Sequence, residues 1–112
     1  MLSLTVTAKR ARARGEMVVS APADALPPAV ERASYHLPRM TVTGIWQERA
    51  EMQAGTTWKS FGAEIVLTFE PLDAGSTRVL ATSTPQVPTT LFDYGQGKAD
   101  VTEVLQAVAA QL

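Results

Sequence analysis

Few side chains in this 112-residue chain are equipped for chemistry. His36 is the only histidine, and there is no cysteine. A catalytic histidine needs a carboxylate to orient it or a nucleophile to serve, and the sequence marks no such partner. At the end of an expected helix, His36 is read as meeting the last carbonyls and the negative end of the dipole. Asp93, Tyr94 and Lys98 gather just before a second expected helix. Their first reading is a helix cap beside a packed aromatic; their second is the polar mouth of a pocket. Trp46, Trp58 and Phe61 are the aromatics that could line such a pocket. Glu64 is a surface acid if its strand face meets water, or a polar anchor if that face borders a cavity. The candidate ligand-binding residues are therefore Trp46, Trp58, Phe61, Glu64, Tyr94 and Lys98.

Other chemistries lack their residues. Without cysteine, with one histidine and with no acidic cluster at calcium-loop spacing, no metal ligand set is expected. Gly95-x-Gly97 precedes a helix but lacks the preceding strand and third glycine of a dinucleotide fingerprint. The serines have no glycine partners of a nucleophile elbow. Neither an enzyme nor a cofactor is expected. Net charge is −1, from 10 basic and 11 acidic residues, which disfavours a dedicated nucleic-acid binder. Arg10, Arg12 and Arg14 share strand parity and alternate with alanines. They are read as a solvated stripe that deters intermolecular pairing, without the aromatics on which bases stack. The first ten residues lack the apolar run of a signal peptide, and no segment approaches bilayer length. A cytoplasmic protein with no membrane partner is expected.

The elements that must position these residues follow from periodicity. One core and one domain, 1–112, suit the length and the 46% hydrophobic content. From Thr57 to Glu70, Phe61, Ala63, Ile65, Leu67 and Phe69 share one parity, against Gly62, Glu64, Val66, Thr68 and Glu70. Such alternation predicts a central strand with one buried face. Residues 2–20 hold alternating apolar positions and form either one strand or a hairpin, with Gly15 as a bulge or a turn. Leu26, Ala29, Val30, Ala33 and Leu37 follow helical spacing, with Asp24 as N-cap and the regular helix beginning near Pro27. Met40, Val42, Gly44 and Trp46 are expected on one strand face, and a polar strand covers 47–53. Pro71 to Gly75 reads as a hairpin connection in which Gly75 can take positive φ, and Thr77 to Thr84 as the returning strand. Asp93 with Gln96 suggests a capping box, followed by an apolar stripe at Val101, Val104, Leu105, Val108 and Leu112.

The order strand, helix, four strands, helix predicts an α+β fold: one antiparallel sheet with two helices on one face. That order resembles the TATA-binding-protein-like architecture and its helix-grip relatives, START domains among them. Trp58-Lys59-Ser60-Phe61-Gly62 and Thr90-Leu91-Phe92-Asp93-Tyr94-Gly95 are also similar to segments of a family of uncharacterised bacterial domains. That family has Trp-x-Ser-aromatic-Gly leading into a strand and Asp-aromatic-Gly before the last helix; the resemblance implies no activity. The expected function is a binding module with an apolar cleft, for a small apolar ligand, between the sheet and the C-terminal helix. The alternatives are a protein–protein or homodimer module using a strand edge, and a weak nucleic-acid saddle rimmed by the 9–14 arginines.

Overall fold

The computed structural model describes residues 3–9, 11–56, 62–87 and 95–112. Six strands form one antiparallel sheet: β1 Leu4–Lys9, β2 Arg12–Val19, β3 Met40–Ile45, β4 Arg49–Ala54, β5 Ala63–Asp73 and β6 Ser76–Pro85. Their spatial order is β1-β2-β6-β5-β4-β3. Helices α1, Leu26–Ser34, and α2, Gln96–Ala109, pack side by side on one face. This is the α+β arrangement expected from the element order. The first strand position is occupied by a hairpin, β1 and β2, one of the two readings left open for residues 2–20.

The core lies between the sheet's inner face and the helices. Along β5, Ala63, Ile65, Leu67 and Phe69 are buried, as their parity predicts. Their row is continued by Thr77, Val79, Ala81 and Ser83 on β6 and by Ala13, Met17 and Val19 on β2. Helix α1 buries Leu26, Ala29, Val30 and Ala33, and α2 buries Val101, Val104, Leu105 and Val108. Residues spaced three and four apart share a helix face, so each helix carries one apolar stripe to the sheet.

Several local expectations need correction. Gly15 is neither a turn nor a bulge; it lies mid-strand in β2, in unbroken register with Val6 and Ala81. Its role is close approach. A Cβ there would stand 2.7 Å from Val101 Cγ1 and 3.0 Å from Leu105 Cδ1 of α2. Gly15→Ala is therefore expected to cost about 1–3 kcal/mol, the usual penalty of overpacking a well-fitted core, because the stiff Val101 side chain must shift. Urea denaturation would measure it, and a neutral result would mean that α2 can lift without loss.

Strand β5 continues through Pro71 to Asp73, with a register shift there, so the connection to β6 is shorter than expected. Gly75 does not take positive φ; among the described residues the glycines that do are Gly62 and Gly95. The turn is made by Asp73, whose Oδ1 accepts the Gly75 N–H at 2.8 Å. That bond, together with Ser76, holds the Asp73 carboxyl below its ordinary pKa. Asp24 lies in a short 3-10 turn, Ala23–Ala25, and the N-cap position of α1 is Ala25. Pro27 and Pro28 fall in the first turn of α1, where the backbone N–H they lack would have no helical partner. Helix α2 starts from Gly95 at φ 80°, so its N-cap is two residues beyond the expected Asp93, which lies outside the described residues. His36 is exposed beyond the end of α1, and its backbone N–H, not its ring, bonds the Ala33 carbonyl.

The remaining correction concerns β3. Val42 pairs with Met52, but Gly44 pairs with Glu51, one residue out of step. The bulge reverses parity beyond Val42, because one extra residue moves every following side chain to the other face. Ile45 then packs against the core, and Gly44 and Trp46 leave the face of Met40 and Val42.

Candidate functional site

Of the expected site residues, Trp46, Glu64 and Lys98 are described, and these three are not brought to one cleft. The Trp46 ring lies over Gly44 on the outer face, where a side chain on Gly44 would collide with it. Trp46 remains 51% exposed. Glu64 is exposed on that same outer face, opposite Gln53 and Thr84, so its strand face meets solvent. Lys98 is exposed on the first turn of α2. Trp58, Phe61 and Tyr94 lie outside the described residues.

What the fold gathers instead is a buried polar cluster at the N-terminal end of α2. Arg39, from the connection between α1 and β3, places Nη1 2.9 Å from Asp100 Oδ1 on α2. Its Nη2 donates to the Gly55 carbonyl at 2.8 Å, just past β4. The Gly55 N–H returns a bond of 2.9 Å to the Arg39 carbonyl. Gln96, one turn before Asp100, donates its Nε2 to the same carboxylate oxygen at 2.7 Å. The Asp100 side chain is 2% exposed and that of Arg39 34%. One guanidinium thus ties the end of β4 to α2 across the helix–sheet space, and a charged acid is buried with charged and neutral donors around it.

Asp100 was not among the expected site residues, though its spacing carried a signal. Gly97, Asp100, Val101, Val104, Leu105 and Val108 share the buried face, so an acid stands within the apolar stripe. An acid at such a position needs a cation, and Arg39 is 61 residues away in sequence.

Among the described residues, two buried polar atoms at this cluster and on the inner face have no hydrogen-bond partner: Arg39 Nε and Ser83 Oγ. Ser83 sits on β6 between Ala13 of β2 and Ile65 of β5, and is 1% exposed. Towards Ser83 the inner face carries Ala13, Ala54 and Ala63 beside the larger Ile65, Met52 and Met40. The small Ala54 and Ala63 lie at the end of the sheet where Gly55 meets the Arg39–Asp100 pair.

No protein-family model matches the chain, and no curated protein matches it either. Solved structures do. A protein from Arthrobacter aurescens, solved in solution by NMR, aligns at TM-score 0.65 and 12% identity, over 96% of this chain and 90% of its own. A crystal structure from Thermus thermophilus aligns at TM-score 0.54 and 14% identity, over 89% and 95% of the two chains. A conserved protein of unknown function from Enterococcus faecalis aligns at TM-score 0.52 and 10% identity, over 96% and 75%. The fold is a helix-grip fold. At these identities the likeness is one of architecture, and function has to be argued from the side chains.

Arg39 and Asp100 neutralise one another, so the site carries little net charge to attract an ion. Among the described residues no three of His, Cys, Asp and Glu stand close enough to hold a metal. No described helix is long and apolar enough to cross a membrane.

Proposed function

We propose that this domain binds a small, neutral, largely apolar molecule between the sheet and the N-terminal half of α2. The ligand's one polar group bonds Ser83 Oγ, and its body rests on the small side chains Ala13, Ala54 and Ala63. The observation that carries the reading is the buried Ser83 hydroxyl, unpartnered among the described residues. More than nine in ten buried polar groups in native proteins find a partner, and a hydroxyl left without one costs about 1–3 kcal/mol. A bound hydroxyl or carbonyl removes that cost. The Arg39–Asp100 pair supports the reading by closing this end of the helix–sheet space with a wall of no net charge.

Titration with 2-naphthol, a fused-ring alcohol of suitable polarity, tests this by amide chemical shifts. The expected perturbations fall on Ser83, Ala54, Ala63 and Asp100, and Ser83→Ala weakens binding roughly two- to tenfold, the worth of one hydrogen bond. Perturbations confined to the outer face, or none at millimolar probe, would sink the reading.

A further inference from the structure

We propose that two copies of this chain pair edge to edge through β1, forming one continuous antiparallel sheet about a two-fold axis at Val6. Among the described strands β1 is an outer edge, and it runs in unbroken register with β2 from Leu4 to Lys9. Edge strands are ordinarily blunted by proline, a bulge or charge. β1 has no proline and no bulge, and its one charge, Lys9, stands at its end. The opposite edge, β3, is bulged after Val42 and has the Trp46 ring folded over Gly44.

The hydrogen-bonding pattern of β1 selects the register. Lys9 pairs with Arg12, which leaves a two-residue connection. Such a hairpin closes on a hydrogen-bonded pair. Lys9, Thr7 and Thr5 therefore spend their backbone groups on β2, and Leu4, Val6 and Ala8 direct theirs at the open edge. Directly paired residues in an antiparallel ladder share a face, so the second copy must present the same three residues. An axis at Val6 pairs Leu4 with Ala8 of the second copy and Val6 with its equivalent, making about six hydrogen bonds. An axis at Thr7 makes about four, from Val6 and Ala8 alone.

Charge and sterics favour the Val6 axis as well. It sets the two Lys9 residues about 20 Å apart, past the screening length of about 8 Å at physiological salt. An axis at Thr7 brings them to about 13 Å and drags the arginine-bearing tips inward. On the outer face Thr5 meets Thr7 of the second copy, a β-branched cross-strand pair. On the inner face the half-buried Leu4 and Val6 lie beside one another. Helix α2 rests on β2, one strand in from the edge, where Gly15 receives it. Its two copies would stand about 14 Å apart, clear of the 8–10 Å of directly packed helices.

Sedimentation equilibrium tests the pairing. The expected mass is about 24 kDa, twice the 12.0 kDa of one chain, at high micromolar concentration, falling on dilution. Ala8→Pro removes an outward N–H from an exposed position, so it should leave the hairpin folded and the chain monomeric. Val6→Cys supplies the chain's only thiol, and a hydrogen-bonded pair sets its Cα about 5.5 Å from its equivalent, within disulfide range. Mild oxidation should cross-link it nearly completely. A wild-type chain that stays at 12.0 kDa up to millimolar concentration overturns the proposal. So does a dimer that neither loses affinity with Ala8→Pro nor cross-links through Val6→Cys.

Discussion

Arg39→Met is expected to destabilise the fold by about 3–5 kcal/mol, and Asp100→Leu by clearly less, about 1–3 kcal/mol. The asymmetry follows from burial. Removing Arg39 strands a carboxylate that is 2% exposed, with the Gln96 amide still donating to it at 2.7 Å. Removing Asp100 leaves a guanidinium that is 34% exposed, still bonded to the Gly55 carbonyl and able to reach water. The same logic predicts the double variant. With both charges replaced by apolar groups of similar size, neither desolvation cost remains, and much of the lost stability should return. Urea denaturation of the four proteins forms a complete cycle. Equal losses from both single variants would show that the pair matters through packing, not through a buried charge.

Leu67→Ala should cost about 4–5 kcal/mol, near the top of the range for such truncations. Leu67 is fully buried in β5, and its two cross-strand neighbours are Ala50 on β4 and Ala81 on β6. Gly15 continues the row beyond Ala81. One large side chain thus fills the space that three small ones leave, and none of them can extend into the cavity its loss creates. Ile65→Val is the control. It deletes one methyl in the neighbouring row, beside Met52, and should cost about 0.5–1.5 kcal/mol. Thermal or urea unfolding distinguishes these values readily; a Leu67→Ala loss below about 2 kcal/mol would mean that the helices settle onto the sheet.

Much of the fold was legible in the sequence because its signals are local. Ala63, Ile65, Leu67 and Phe69 announce their shared face within seven residues, and the period of two leaves no other face for them. The stripes of α1 and α2 are read in the same way, over two to three turns each. Prolines 27 and 28 bound where the first helix could begin. The element order then limits the architecture, since four successive short strands and a terminal amphipathic helix have few ways to bury their apolar faces. The candidate site was less legible. Trp46 was assigned to the face of Met40 and Val42, and a single bulge moved it to the other. Bulges change parity without any required residue type, so alternation cannot reveal them. Gly15 read as a bulge or a turn in isolation; that it admits a helix depends on Val101 and Leu105, some ninety residues away. Asp100 and Arg39, 61 residues apart, carry no joint signal until the fold brings them within 2.9 Å. Sequence by itself determined which residues share a strand or helix face, since periodicity acts over a few neighbours. Which distant residues meet across the helix–sheet space, and hence where a buried charge and an unpartnered hydroxyl lie, was decided by tertiary packing alone.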